Sequence, residues 1–234
     1  MADYYGDGRL DLIAGSDCCQ EGCFYVFRRL KDGGFAPRQK VKPVFPPQQF
    51  GQVDQQFGQV ETDTLRSRIA VADLNGDGKP DVLIGADQRI CRWKTLGVVY
   101  GPLAGKDELT VQRMWPEGQE PFAPLSLSTN PVLADWDGDG LPDLILGLGE
   151  KTRAGWRSRG VYWCRNVGTK QAAKFGPSQL LVADNDRAET TGICVADWNG
   201  DGRPDLIASR IERDKEGGAR PWHQKVWVYL RRGG

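Results

Sequence analysis

Acidic residues recur in this chain in a nine-residue pattern, D-x-[D/N]-G-D-G-x-x-D. In its third copy, carboxylates occupy positions one, three, five and nine, at Asp135, Asp137, Asp139 and Asp143. Packing that much negative charge into one loop costs free energy unless a positive charge lies beside it. If the backbone coils tightly, the oxygens of positions one, three and five converge, and an all-oxygen cage suits Ca²⁺. The pattern therefore predicts a calcium site.

The chain contains four copies of this pattern, which we call loops 1 to 4. In each loop we predict metal ligands from the side chains of positions one, three, five and nine and from the carbonyl oxygen of position seven. The predicted ligands are Asp3, Asp7, Arg9 and Asp11; Asp73, Asn75, Asp77, Lys79 and Asp81; Asp135, Asp137, Asp139, Leu141 and Asp143; and Asp197, Asn199, Asp201, Arg203 and Asp205. With four carboxylates, loop 3 should bind most tightly. Because Tyr5 replaces the ligand of position three, we expect loop 1 to be weak or empty, and the chain to bind roughly three to four Ca²⁺ ions.

Two other interpretations compete with calcium binding. A plain turn rich in Asp, Asn and Gly needs no ion, but four copies that keep acids at positions one, five and nine favour a ligand set. A helix-loop-helix calcium hand needs Glu at position twelve. The chain has Ala14, Ile84, Leu146 and Ala208 there, which excludes the hand.

Short apolar segments flank each loop and must position it. The segments before the loops are RIAVAD (68–73), PVLAD (131–135) and GICVAD (192–197), and aliphatic runs follow each loop. Alternating aromatic segments come next: CFYVFRRL (23–30), RICRWKTL (89–96), VYWCRNVG (161–168) and KVWVYLRR (225–232). Alternation over such short segments is typical of strands. The sequence therefore predicts an all-β fold, a β-propeller built from four-stranded antiparallel blades.

We expect a single propeller domain over residues 1–234. Its predicted units are approximately 1–42, 68–129, 130–190 and 191–234, with a Gln-rich linker at 43–67 and an insertion at 97–120 between the third and fourth strands of the second unit. The chain starts inside loop 1 and ends at a predicted third strand. We therefore expect a fragment of a longer propeller, an open ring or a four-bladed ring, with missing blades or another chain as a conceivable complement.

Charge, hydropathy and cysteine positions limit the classes of partner and site that the chain can have. The formal net charge is zero, which argues against a general nucleic-acid binder. No uninterrupted apolar run reaches the roughly 18 residues of a membrane helix, and the N-terminal residues lack the regions of a signal peptide. Cys91, Cys164 and Cys194 lie in apolar segments and are predicted to be buried. Cys18, Cys19 and Cys23 share a turn, where a bridge to Cys23 stays open and a zinc site is disfavoured because no histidine is near.

Large apolar residues also attract attention. Position two of the loops holds Tyr4, Leu74, Trp136 and Trp198, which we predict to pack between blades. Trp156, Trp163, Trp222 and Trp227 are candidates for stacking on sugars, although packing within the blades competes. Within the insertion, Tyr100 and Trp115 are favoured as an exposed contact surface.

The four loops and their flanking strands resemble the FG-GAP/VCBS repeats of integrin α-subunit propellers and of large bacterial surface proteins. The resemblance covers nearly the whole chain, and Tyr5 is its one departure within the loops. It implies structural cations in the hairpin between the first and second strands of each blade. It also implies a secreted or cell-surface protein. Such propellers usually have more blades than the four units present here.

The favoured function is a non-catalytic, calcium-stabilised propeller that mediates binding or adhesion to a carbohydrate or protein partner. An interaction scaffold that presents the Gln-rich linker and the insertion cannot be separated from it. The alternative is a calcium-dependent polysaccharide lyase or hydrolase, which would need a base. The residues left for that role are His223, predicted in a turn, and Glu108, Glu117 and Glu120 of the insertion.

Overall fold

The structure, a computed structural model, describes residues 1–15, 23–46, 67–86, 96–116, 118–122, 126–127, 131–152, 155–184, 188–213 and 222–232. Strands, bridges and turns make up this part of the chain, and the predicted all-β class is confirmed. It contains no helix long and apolar enough to cross a membrane.

Sixteen strands run through these residues. They are β1 (Leu12–Gly15), β2 (Phe24–Phe27), β3 (Gln39–Val44), β4 (Ser67–Ala72), β5 (Asp81–Ala86), β6 (Gly97–Val99), β7 (Glu108–Thr110), β8 (Gln112–Arg113), β9 (Ser126–Leu127), β10 (Val132–Ala134), β11 (Asp143–Thr152), β12 (Gly155–Cys164), β13 (Gln179–Ala183), β14 (Ala188–Ala196), β15 (Asp205–Arg213) and β16 (Trp222–Tyr229). Loops 2, 3 and 4 join β4 to β5, β10 to β11 and β14 to β15.

The chain divides into two compact units, Met1–Glu120 with Lys170–Ala172 and Pro121–Thr169 with Ala173–Gly234. The first unit holds two sheets with strand orders β1-β2-β3-β7 and β4-β5-β6-β8. All neighbours in these sheets are antiparallel except β3 and β7, which pair in parallel.

The second unit also holds two sheets. The third sheet has the order β10-β11-β12-β13, with β9 beside β11, and the fourth has the order β14-β15-β16. Within the described residues, β16 lies at the edge of that three-stranded sheet. The four small, mostly antiparallel sheets are the blades of a β-propeller, as predicted. Within the described residues, two of them have the four strands that were predicted, and the others have five and three. The single domain over residues 1–234 and the unit boundaries stay predictions.

Alternation of apolar and polar residues builds a core in each unit. In β2, Phe24 and Val26 are fully buried, while Tyr25 and Phe27 on the other face are partly exposed. The first unit's core gathers residues from both of its sheets, including Phe24, Val41, Val82 and Ile84. The second unit's core likewise joins its two sheets, through Trp136, Ile145, Val161, Ile193 and Leu206. Burial of these side chains drives the folding of each unit.

The second sheet departs from the sequence prediction. Its third and fourth strands are β6 and β8, and both lie within residues 97–120, which were predicted as an insertion. The aromatic segment at 89–96 was predicted as the third strand, and all of it except Leu96 lies outside the described residues. The physical reason is burial, because all three residues of β6 are buried where β6 pairs with β5. Two adjacent β-branched valines, Val98 and Val99, suit a strand that is buried on both faces.

The predicted linker and cysteines have mixed outcomes. Residues 47–66 of the linker lie outside the described part of the chain, while its ends complete β3 and start β4. Cys164 is buried, as predicted, and burial raises the pKa of its thiol to about 12. The prediction for Cys194 is wrong, since its side chain is exposed: strand alternation turns it away from buried Ile193. Cys23 is buried, and Cys18, Cys19 and Cys91 lie outside the described residues.

Candidate metal centres

The carboxylate of position one organises the backbone of every loop. In loop 3, Asp135 accepts hydrogen bonds from the N–H groups of Gly138 (2.8 Å) and Gly140 (2.9 Å). The N–H group of position six makes the same bond in the other three loops, at 2.8 Å each. Gly138 and Gly140 both have φ of 84°, a left-handed conformation that favours glycine. The two glycines of the pattern therefore coil the loop around its acidic side chains.

The carboxylate of position nine fastens the loop to the next hairpin. It is fully buried in all four copies, at Asp11, Asp81, Asp143 and Asp205. One of its oxygens accepts a hydrogen bond from the backbone N–H group of position two. The N···O distances in loops 1 to 4 are 3.0, 2.8, 3.1 and 3.0 Å. The other accepts an N–H group just beyond the third strand, at 2.6 to 2.8 Å. The donors there are Arg29, Gly101, Asn166 and Arg231. Each ninth aspartate thus joins three parts of its repeat.

Burial has an electrostatic cost for these carboxylates. It raises the pKa of Asp81 and of Asp143 above the ordinary aspartate range, because desolvation disfavours the charged form. The hydrogen bonds from backbone N–H groups act in the opposite direction and stabilise the charge. These donors explain how a carboxylate can lie at the buried start of a strand. The ligand role predicted for position nine stays a prediction, as does that of the carbonyl oxygens of position seven.

Loop 3 brings its remaining carboxylates together. One oxygen from each of Asp135, Asp137 and Asp139 lies within 4.8 Å of the other two. Two oxygens on opposite sides of one Ca²⁺ ion are roughly 4.6 to 5.2 Å apart, because each Ca–O distance is about 2.3 to 2.6 Å. The donor set is therefore of the right size, charge and hardness for Ca²⁺.

An arginine from the neighbouring hairpin reaches into this donor set. The Nε of Arg165 lies 2.6 Å from Oδ2 of Asp137, and its Nη2 lies 3.1 Å from Oδ2 of Asp139. Hydrogen bonding to Asp139 and the charge of Asp137 raise the pKa of Arg165. Arg165 directly precedes Asn166. The backbone N–H group of Asn166 donates a hydrogen bond to Asp143. We call the two hydrogen bonds that the carboxylate of position nine accepts from backbone N–H groups the clasp. In loop 3 the clasp holds Asn166 in place, and this positions the guanidinium of the preceding Arg165 over the loop.

Loop 1 has an arginine at the equivalent position. Arg28 precedes Arg29, the amide donor to Asp11, and both Nε and Nη2 of Arg28 contact Oδ2 of Asp7, at 3.2 and 2.9 Å. Its guanidinium carbon lies 4.8 Å from the ring centroid of Tyr5. Arg9 pairs with Asp7 as well. The hydrogen bond from Arg28 holds the pKa of Asp7 below its ordinary value.

Loops 2 and 4 differ at that equivalent position, which holds Tyr100 and Leu230. In loop 4, Asp201 is instead paired with Arg203 of the same loop at 2.7 Å and accepts a hydrogen bond from the amide of Asn199. These contacts hold its pKa below the ordinary value, with the Asn199 bond as the main cause. In loop 2, Asp77 accepts the N–H group of Lys79 and has no ion pair with any described residue.

Position two confirms the packing prediction for Tyr4 and Trp136 and contradicts it for Trp198, while the packing of Leu74 between blades stays a prediction. Tyr4, Leu74 and Trp136 are buried, and Tyr4 and Trp136 belong to cores that join two sheets. Arg231 stacks over the Trp136 ring, at 5.4 Å from its centroid, and donates to its carbonyl oxygen. Trp198 is 64% exposed. Its backbone makes the same bond to position nine, so the loop is intact and only the side chain lacks cover.

The other aromatic residues that the sequence singled out differ in their exposure. Trp163 packs against the second unit's core, which fits the packing alternative, while Trp227 is 42% exposed on β16. Tyr100 is exposed and Trp115 is partly buried, and the side chains of Trp156 and Trp222 lie outside the described set.

The candidates for a catalytic base have different surroundings. Glu120 is paired with Arg113 at 3.0 Å, Glu108 is exposed on β7, and Glu117 lies outside the described residues. The turn predicted around His223 is wrong, because that residue lies within β16, where it pairs opposite Glu212.

Comparisons with known proteins address the repeat and the fold. The model of the FG-GAP-like repeat matches residues 3–84 and 135–208, which include all four loops. No curated protein matches the chain. A solved structure of exo-beta-1,3-galactanase from Phanerochaete chrysosporium with beta-1,3-galactotriose is similar, with a TM-score of 0.45 and 11% identity over 93% of this chain. The match covers 54% of that protein, so this chain spans about half its length. A likeness of this size says nothing about activity.

Proposed function

The chain belongs to the FG-GAP-like repeat family, and from this membership and the geometry of its loops we propose that it is a non-catalytic, calcium-stabilised binding module of the β-propeller type. One observation carries the metal part of the proposal: oxygens of Asp135, Asp137 and Asp139 lie within 4.8 Å of one another. A Ca²⁺ ion bound there would offset two of the three negative charges and tighten the connection between β10 and β11. Its role is therefore structural.

Exposed apolar side chains of the fourth sheet support a binding role. Trp198 is 64% exposed, and on β16 Val226 is 69% and Trp227 42% exposed. Single exposed apolar residues are ordinary, but tryptophan supplies a large contact area at low entropic cost and is enriched at binding interfaces. Val226 and Trp227 are consecutive in β16 and therefore point to opposite faces of the sheet. We take the two tryptophans, Trp198 and Trp227, as the candidate contact residues for a carbohydrate or protein partner. A secreted or cell-surface location fits a module that needs calcium at extracellular concentrations.

Calcium binding tests the first part. Isothermal titration of the chelator-treated protein with CaCl₂ should give dissociation constants of about 10⁻⁴ to 10⁻³ M, the range of extracellular modules. Asp139→Ala should remove one ion per chain. A full chain that binds no Ca²⁺ at millimolar concentrations contradicts the proposal.

A glycan array with the calcium-loaded protein tests the second part. Trp198→Ala and Trp227→Ala should each weaken a carbohydrate signal, and free sugar should compete with it. Val167→Ala is a matched control, since Val167 is 55% exposed and lies in the third repeat, outside the fourth sheet. A partner that is captured without sugar competition favours a protein ligand. Release of unsaturated sugar products would instead favour the lyase alternative, for which no contact among the described residues argues.

A further inference from the structure

We propose that Arg28 and Arg165 are built-in counter-ions of loops 1 and 3, which compete with Ca²⁺ for the carboxylates of those loops. In loop 1 the arginine takes the place of the ion, and in loop 3 the ion must displace it. This inference rests on the proposed calcium binding and deepens it. It reverses the expectation from charge alone that loop 3 binds most tightly.

The geometry of loop 3 carries the main argument. Arg165 touches Asp137 and Asp139, two of the three residues whose oxygens converge, at 2.6 and 3.1 Å. A planar guanidinium is well suited to two carboxylate oxygens at once and remains charged at any working pH. A cation that binds the same oxygens must therefore break both contacts. The side chain of Arg165 is 49% exposed, so it has open solvent to move into when displaced.

Loop 1 shows the same device in a more closed form. Arg28 places two nitrogen atoms on Asp7 and lies over the Tyr5 ring, and Arg9 pairs with the same carboxylate. Tyr5 stands where loops 2 to 4 have an oxygen ligand, and its hydroxyl contacts Gln39 instead. The tyrosine thus removes one metal ligand and supplies a cation–π surface for the arginine.

The placement of both arginines follows from the ninth aspartate. Asp11 and Asp143 bind the amide of the residue after each arginine, which fixes the start of that side chain beside the loop. Loops 2 and 4 make the same backbone bond, but Tyr100 and Leu230 precede the bound amide. In the described part of the chain, neither loop receives an arginine from beyond its third strand, although Arg203 pairs with Asp201 within loop 4. Loop 2 should therefore bind Ca²⁺ more tightly than loop 3.

The test is a calcium titration of Arg165→Gln in low salt. An exposed ion pair that is lost to displacement weakens binding by a few-fold, so removal of both contacts should tighten one site by about fivefold to tenfold. The effect should disappear when Asp139→Ala is added, because that site is then gone. Lys225→Gln is the matched control: it removes one positive charge, on β16, whose partner is Glu212 rather than a loop residue. It should leave every dissociation constant unchanged.

The outcomes separate this inference from the proposed function. If the wild type binds Ca²⁺ and Arg165→Gln leaves every site unchanged or weaker, competition by Arg165 is refuted and calcium binding stands. If the wild type leaves loop 3 empty and Arg165→Gln fills it, the inference is supported in its strongest form. If neither protein binds Ca²⁺, both proposals fail. A thermal melt in chelator establishes that the variant is folded.

Discussion

Loops 1 and 3 share one backbone and differ in their chemistry. Both keep the carboxylates of positions one, five and nine, the two glycines with positive φ, and an arginine before the amide that position nine binds. At position three, loop 3 has Asp137 and loop 1 has Tyr5. In loop 3 three carboxylates converge with one arginine against two of them, whereas in loop 1 two arginines pair with Asp7 alone.

This difference shows that the nine residues of a loop do not by themselves determine how its negative charge is neutralised. Arg28 lies 21 residues beyond Asp7, and Arg165 lies 26 residues beyond Asp139. The hairpin that follows each loop brings the arginine back beside the loop, and the clasp at position nine holds it in that position. If the loops bind calcium as proposed, the affinity of a repeat depends on the residues that follow its third strand as well as on its acidic pattern.

The largest expected effect breaks what the two loops share. Asp143→Ala leaves two buried N–H groups without an acceptor, and each such loss costs about 1 to 3 kcal/mol. We therefore expect the free energy of unfolding to fall by roughly 3 kcal/mol in urea denaturation with chelator present, and Asp11→Ala to act alike. Asp139→Ala is the control, because its more exposed carboxylate should matter little without calcium. Equal losses for Asp139→Ala and Asp143→Ala would contradict the clasp.

Calcium removal should separate the two loops. A ligand at a hundred times its dissociation constant stabilises the folded state by about 2.7 kcal/mol per site, so chelator should lower the melting temperature. Asp139→Ala should shrink that chelator-induced shift. Asp7→Ala should leave it unchanged, since we expect loop 1 to hold no ion. Differential scanning calorimetry measures both, and a shift that depends on Asp7 would show that loop 1 binds calcium.

A variant of loop 1 that has the side-chain ligands of loop 3 but lacks the arginine after the third strand sharpens the comparison. The double variant Tyr5→Asp, Arg28→Gln restores the missing oxygen ligand and removes one of the two arginines that pair with Asp7. Asp7 then keeps only Arg9, as Asp201 keeps only Arg203 in loop 4, and the variant should bind one further Ca²⁺ ion per chain. Arg28→Gln alone should add none, because Tyr5 still lacks a suitable oxygen. Metal analysis after equilibrium dialysis gives the count. If Arg28→Gln alone already binds a further ion, then Arg28, and not the missing ligand at Tyr5, prevents loop 1 from binding calcium.

The smallest effect is expected from Arg165→Lys. An ammonium is a point charge and does not match two carboxylates in the fixed fork of a guanidinium. We therefore expect loop 3 to bind calcium about twofold to threefold more tightly than in the wild type, less than in Arg165→Gln. Titration calorimetry at two salt concentrations checks this, because the difference should narrow as salt screens the pair. An affinity equal to that of Arg165→Gln would mean that charge plays no part.

Local patterns predicted most of the fold. Strands on both sides of loops 2 to 4 follow the apolar segments seen in the sequence, since period-two alternation is a local property. The third strand of the second sheet was missed, because aromatic alternation at 89–96 was a stronger signal than the short valine pair of β6. Trp198 was misjudged for a different reason: whether a side chain beside a loop is covered depends on the neighbouring sheet, which no local pattern encodes.

The site was predicted in part. Spacing alone identified the loops and the need for glycine at positions four and six. It treated the ninth aspartate as one more ligand, although its place at the start of a buried strand signals a carboxylate with backbone partners. It also passed over Arg28 and Arg165. Alignment of the third strands with one another would have found an arginine directly after the apolar run in three of the four repeats, at Arg28, Arg165 and Arg231. In the fourth repeat the arginine comes one position later, at the residue whose backbone N–H group donates to Asp205.

The buried clasp at position nine has a consequence for how the protein meets its ion. Small metal domains often stay unfolded until the metal arrives. Here the coil of each loop is already held by Asp135 and Asp143, or by their equivalents, through backbone amides alone. In loop 3, the calcium binding proposed above would then replace the guanidinium of Arg165 by an ion on a backbone that is already formed.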